Sequence, residues 1–97
     1  MKVIWAPSAL LDVGRICDYI ARDDSRAAIG VVRRVRTAMT RLRRFPRSGR
    51  IVPESDNPSI REVVVSPFRV IYRIAASEVR VVAVVHAARL LDPEKVP

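Results

Sequence analysis

Apolar residues recur along this chain with two different periods, and the change from one to the other divides it. Lys2-Val3-Ile4-Trp5 is a short β run ended by Ala6-Pro7, and proline suits a first helical position. From Ser8 to about Arg22, Ala9, Val13, Ile16, Cys17 and Ile20 return at intervals of three and four, the spacing of an amphipathic helix. Asp12 falls early in that helix, where negative charge suits the dipole. Asp23-Asp24-Ser25 then supplies a break and an N-cap for a second helix, about Arg26 to Phe45. At roughly 100° per step, Ala28, Val31, Val32, Val35, Ala38, Met39, Leu42 and Phe45 fall within one arc. Arg26, Arg33, Arg34, Arg36, Arg41, Arg43 and Arg44 occupy the opposite side, so one face is core and the other cationic. Two antiparallel helices joined by a tight turn form a hairpin able to cover one side of a sheet.

Pro46, Ser48 and Gly49 end the second helix, and Pro53 and Pro58 bracket a polar loop, Glu54 to Asn57, the segment expected to be most mobile. Three β runs follow: Ile60 to Val65, Phe68 to Ala75 and Val79 to His86, the last aliphatic enough to be a central strand. The expected fold is α+β in the order β-α-α-β-β-β: an N-terminal strand and a helical hairpin packed on one face of an antiparallel sheet. Alternation along the strands sets Arg69, Ile71 and Arg73 against Phe68, Val70, Tyr72 and Ile74. In the third run Arg80, Val82, Val84 and His86 oppose Val79, Val81, Ala83 and Val85. Two helices cover one face only. The other face is therefore expected to present arginines among exposed aliphatics such as Ile71, Val82 and Val84, a combination that marks a surface made to be covered by a partner.

Charge sharpens that expectation. Between Ser25 and Pro53 lie nine arginines and no acid, so this stretch accounts for more than the whole net charge of +8. A local block of one sign meets something anionic, and arginine suits bidentate contacts with carboxylate or phosphate. The rest of the composition is that of a folded domain: 97 residues, 49% hydrophobic and 29% charged, read as one domain over 1–97. A single cysteine, Cys17, allows no internal disulfide and reads as a small buried hydrophobe on the first helix. The opening residues do not form a secretory leader and no apolar run is long enough for a bilayer, which points to the cytoplasm and away from membranes. His86 is the only histidine, and there is no phosphate-loop, dinucleotide or zinc spacing, so no cofactor or metal is expected.

Several segments resemble a known family. Trp5-Ala6-Pro7-Ser8-Ala9 with Leu10-Leu11-Asp12-Val13 and Ile16-Cys17-Asp18-Tyr19-Ile20 looks like its first strand and helix. Leu42-Arg43-Arg44-Phe45-Pro46-Arg47-Ser48-Gly49-Arg50 resembles its helix exit. Ile60-Arg61-Glu62-Val63, Phe68-Arg69-Val70-Ile71-Tyr72-Arg73-Ile74 and Val84-Val85-His86-Ala87-Ala88-Arg89 are similar to its strands. The family is the RelE/ParE superfamily of toxins from type II toxin–antitoxin systems, and the likeness runs in order over nearly the whole chain. It implies a cytoplasmic growth-arresting toxin neutralised by a cognate antitoxin, an acidic and partly disordered protein that wraps across the toxin in a hetero-oligomer.

Two targets divide that superfamily: ParE-like members poison DNA gyrase, and RelE-like members cut mRNA on the ribosome. Cutting RNA needs a base, an acid and cations for the phosphate, for which Glu54, Arg61, Arg69, Arg73 and His86 are the candidates. By matching, Arg61 and Arg69 stand where ribonuclease members also carry arginine. The lysine-rich loop and C-terminal tyrosine common in those members are missing, since the only lysines are Lys2 and Lys95 and Tyr72 is the last tyrosine. The strand ending in His86 looks ParE-like, so gyrase is the expected target and no catalytic residue is assigned. The candidate target- or antitoxin-binding residues are Arg33, Arg34, Arg41, Arg61, Arg69, Ile71, Arg73, Arg80, Val82, Val84, His86 and Arg89. Plainer roles stand beside these: a solvated Glu54 or one paired with Arg50, an Arg61 or Glu62 paired across the sheet, a capped structural His86, and Trp5 and Tyr72 in the core. A basic module gripping nucleic-acid phosphates is a further alternative, weakened by the lack of exposed aromatics for base stacking.

Overall fold

The computed structural model describes residues 1–88; the expectation for Arg89 and the tail lies outside the described residues. Strand β1 (Lys2–Trp5) passes through Ala6 into helix α1 (Pro7–Ala21), with proline in its first turn. Helix α2 (Ser25–Arg44) begins at Asp24, whose carboxylate accepts from the backbone N–H groups of Arg26 and Ala27 at 3.0 and 3.1 Å. Such a cap contributes about 1 kcal/mol. Strands β2 (Arg50–Ile51), β3 (Ile60–Val65), β4 (Phe68–Ile74) and β5 (Glu78–His86) complete one sheet in the order β1-β5-β4-β3-β2.

Two features depart from the expected meander. Strand β1 joins β5 in parallel, Val3 beside Val79 and Trp5 beside Val81, so the sheet is mixed. Strand β2 pairs with β3, Arg50 opposite Glu62, and its two residues are too short to carry a period in the sequence.

The main core lies between the helical hairpin and one sheet face. From α2 come Val31, Val35, Met39 and Leu42, and from the sheet Val70, Tyr72, Val79 and Val81. Helix α1 contributes fully buried Ala9, with Val13, Ile16 and Ile20 packed at the margin beside Val3 and Trp5 of β1. Each large aliphatic buried this way contributes about 1.5–3 kcal/mol. Phe45 leaves this face: it caps α2 with a non-helical backbone, is 58% exposed, and lies under the Arg44 guanidinium at 5.8 Å.

A bulge in β5 decides which residues the open face presents. The register steps from Ile71 opposite Ala83 to Tyr72 opposite Val81, which leaves Val82 as an extra residue. Beyond it the alternation is shifted by one. Val84 therefore lies in the main core, opposite Val70, and not on the open face. His86 stands opposite Phe68 on the helix-covered face, ring edge to ring face with centroids 6.1 Å apart, again contrary to the strict alternation.

Helix α1 completes the hydrogen bonding at the bulge. Ser8 Oγ donates to the Val82 carbonyl at 2.9 Å, and the Asp12 carboxylate accepts from the Val84 N–H at 2.9 Å. Ser8 and Asp12, four apart, share one face of the helix. They take over β1's role along the β5 edge where β1 has already turned into α1.

Candidate functional site

The sheet face away from the helices is only partly open. Val52 folds back to make a second small core with Ile60 and Ile71, each at most 2% exposed, with Val82 and Ala83 packed beside it. Ile71 is thus buried rather than displayed. The loop expected to be mobile is held down: Glu54 reaches onto the sheet, and Ser55, Asn57 and Ser59 bond to one another and to Val52.

Its anchor is Arg69. The arginine is 5% exposed and lies between two carboxylates. Its Nε and Nη2 donate to Glu62 at 2.7 and 3.0 Å, and its Nη1 and Nη2 to Glu54 at 2.9 and 2.8 Å. These hydrogen bonds, Glu54's first and Glu62's second, raise the guanidinium's basicity above its usual value against an opposing cost of burial. Charge-assisted, forked contacts of this kind are the strongest hydrogen bonds a protein makes. Arg50 adds a longer contact to Glu62, 3.3 Å from Nε. The expected Arg50–Glu54 pair is replaced by Arg50–Glu62 and Arg69–Glu54. Arg69 is therefore a fold-holding residue, not a free cation on an open face.

Arg61 is engaged as well, on the other side of β3 opposite Tyr72. Its Nε donates to the Pro58 carbonyl at 3.0 Å, and its Nη1 to the carbonyls of Gly49 and Arg47 at 3.0 and 3.3 Å. It pins both ends of the 47–58 segment. Tyr72 fixes the same segment from β4: its hydroxyl donates to the Pro46 carbonyl at 2.7 Å and accepts from the Gly49 N–H at 3.0 Å. A Cβ at Gly49 would sit 2.5 Å from that hydroxyl and from the Glu62 carbonyl, so only glycine fits. Burial pushes the Tyr72 phenol up from its ordinary pKa, opposed by the Gly49 hydrogen bond and the charge of Arg61.

What the open face does present is Arg73 and Arg80, both exposed and directly opposite one another across β4 and β5, with half-buried Val82, Ala83 and Val85 nearby. On α2, Arg33, Arg34 and Arg41 are exposed as expected; Arg34 Nη1 donates to the Ser66 carbonyl at 2.6 Å. His86 is exposed on the opposite sheet face, its Nδ1 accepting from the Ala88 N–H at 3.2 Å. The five ribonuclease candidates therefore do not form one centre, and Arg73 stands exposed beside Arg80. Glu54 and Arg69 meet as a closed pair, Arg61 grips backbone, and His86 stands on the other side of the sheet.

A feature missed in the sequence lies at the helix side. Between α1, α2 and β1 runs a cavity of about 500 Å³ lined by Val3, Trp5, Val13, Val32 and Met39, with Arg36 and Arg43 among its walls. The signal available was Val32 at the edge of the apolar arc, next to the cationic side. Among the described residues no helix is long and apolar enough to cross a membrane.

Comparison with known proteins places this geometry. A family model described as "ParE toxin of type II toxin-antitoxin system, parDE" matches residues 3–91. Toxin RelE2 of Caulobacter vibrioides is 37% identical over 90 residues, covering 92% of this chain and 98% of its own. Two solved structures share the fold. One, the chromosomal ParDE TA system from P. aeruginosa, superposes with a TM-score of 0.72 at 21% identity, covering 89% of this chain and 95% of that one. The other, the YoeB/ParE toxin from Agrobacterium tumefaciens, gives 0.61 at 20% identity, with coverage of 89% and 98%.

Proposed function

The chain belongs to the ParE toxin family of type II toxin–antitoxin systems, and we propose that it arrests growth by poisoning DNA gyrase without cutting nucleic acid. The observation that carries this reading is the state of Arg69. A ribonuclease needs a cation facing the phosphate and an acid and a base on either side of it. Here the guanidinium best matched to that task is enclosed by Glu54 and Glu62, and the histidine that would serve as acid stands on the far side of the sheet. A protein whose polar residues are committed to its own fold acts through its surface, by binding.

The same surface accounts for silencing by an antitoxin. An amphipathic segment with acidic residues fits the apolar cavity beside α2, its carboxylates meeting Arg36 and Arg43. Apolar burial supplies the desolvated centre and arginine–carboxylate pairs speed association. The location of such a module, with its gyrase target, is the cytoplasm.

The deciding experiment runs the purified protein in two reactions. With gyrase and plasmid, covalently trapped DNA breaks should accumulate on addition of the toxin. With ribosomes translating a defined mRNA, the message should stay whole. Translation-dependent cleavage of the mRNA, with gyrase undisturbed, would overturn this proposal in favour of the RelE-like activity.

A further inference from the structure

Arg73 and Arg80 occupy registered positions on the open sheet face. Residues directly opposite in antiparallel strands hold their Cβ atoms roughly 5 Å apart, and like charges at that spacing destabilise a sheet. The fold does little to relieve this pair. Among the described residues Arg80 has one carboxylate contact, to Glu78 on its own strand at 3.4 Å, and its side chain remains 54% exposed. Arg73 makes no ion pair among the described residues. Arg69, four residues back along β4 on the same face, shows what a satisfied arginine looks like here, with two carboxylates and almost no exposure.

Both guanidiniums line one cavity of about 520 Å³, in which Ala6, Ala75 and Val82 form apolar wall and Ser8 and Glu78 lie at the sides. We propose that this cavity is a carboxylate-binding site, where Arg73 and Arg80 together clamp an Asp or Glu side chain from an extended acidic segment of a partner protein. The inference rests on the reading that this protein acts by binding other proteins. Two guanidiniums lining one cavity offer paired N–H donors matched to one carboxylate, and the bound charge cancels the repulsion between them. The apolar wall accommodates the methylene stem of the ligand residue or its neighbour. Nucleic acid fits less well. Trp5, Phe68 and Tyr72 all pack on the helix side, and Tyr19 and Phe45, exposed contrary to the expectation of none, stand on α1 and at the C-cap of α2, so the open face offers no aromatic for base stacking. The Glu78 carboxylate would also repel a phosphate chain more than a single acidic side chain.

The site predicts two effects of opposite sign. Arg73→Gln and Arg80→Gln should each raise the melting temperature slightly, because repulsion is relieved. Each should also weaken binding of a blocked Glu/Leu hexapeptide by about tenfold or more, the loss expected for one charged hydrogen-bonding partner. Arginine Nε resonances of isotope-labelled protein report this directly. Those of Arg73 and Arg80 should shift and saturate with the Glu/Leu peptide, while its Gln/Leu counterpart, inorganic phosphate and a short DNA duplex should leave them nearly unmoved. Equal response to the Gln/Leu peptide, a stronger response to phosphate or duplex, or undiminished peptide binding by both variants would each overturn the site. Gyrase poisoning is scored separately. A protein that poisons gyrase but ignores the peptide refutes this site alone, and one that binds the peptide but spares gyrase refutes only the proposed function.

Discussion

Replacing Arg69 with methionine should be among the most damaging single changes in the sheet, although an arginine on a strand facing away from the helices invites the opposite guess. Methionine keeps much of the stem and removes the charge. It strands the Glu62 side chain, 0% exposed, and the Glu54 side chain, 13% exposed. Arg50 remains near Glu62, but at 3.3 Å and 64% exposed it compensates weakly. Breaking a buried pair from one side costs about 3–5 kcal/mol, a large share of the roughly 5–15 kcal/mol that holds a domain together. At about 4–8 °C per kcal/mol for a domain of this size, the melting temperature should fall by at least 12 °C or so. The matched control, Arg73→Met, removes an exposed charge and should stay within about 0.5 kcal/mol of the parent. Urea titration of both variants supplies the test. If Arg69→Met lost no more than about 1 kcal/mol, the buried cluster would not exist in solution.

Two further outcomes follow from the same structure. Asp12→Ala should cost about 1–3 kcal/mol by orphaning the Val84 N–H at the bulge, whereas Asp12→Asn keeps an acceptor and should cost less; accelerated hydrogen exchange at the Val84 amide is the specific readout. The raised Tyr72 phenol means that the folded protein holds that proton more tightly than the unfolded chain. Its contribution to stability is therefore complete below about pH 10 and declines as pH rises through the raised value. Denaturation midpoints between about pH 9 and 11 should fall for the parent more steeply than for Tyr72→Phe.

Local sequence determined the elements whose signal repeats within themselves. Helix α2 has an N-cap at Asp24 and twenty residues over which apolar and cationic sides separate, so its ends and its buried face were both legible. The runs that became β3, β4 and β5 were bounded by prolines and small turn residues, and the ordered series of motifs sufficed for the family. Tertiary structure decided everything that depends on residues distant along the chain. Strand β1 carries no mark of its parallel partner at the other end of the chain. The one-residue bulge at Val82 reverses the facing of everything after it, because strand alternation has a period of two, and so moves Val84 and His86 across the sheet. Arg69 and Arg73 look alike in sequence, four residues apart on one face. Only the fold brings Glu54 and Glu62 onto the first and Arg80 opposite the second. Burial and pairing are properties of the assembled neighbourhood, which a local pattern does not contain.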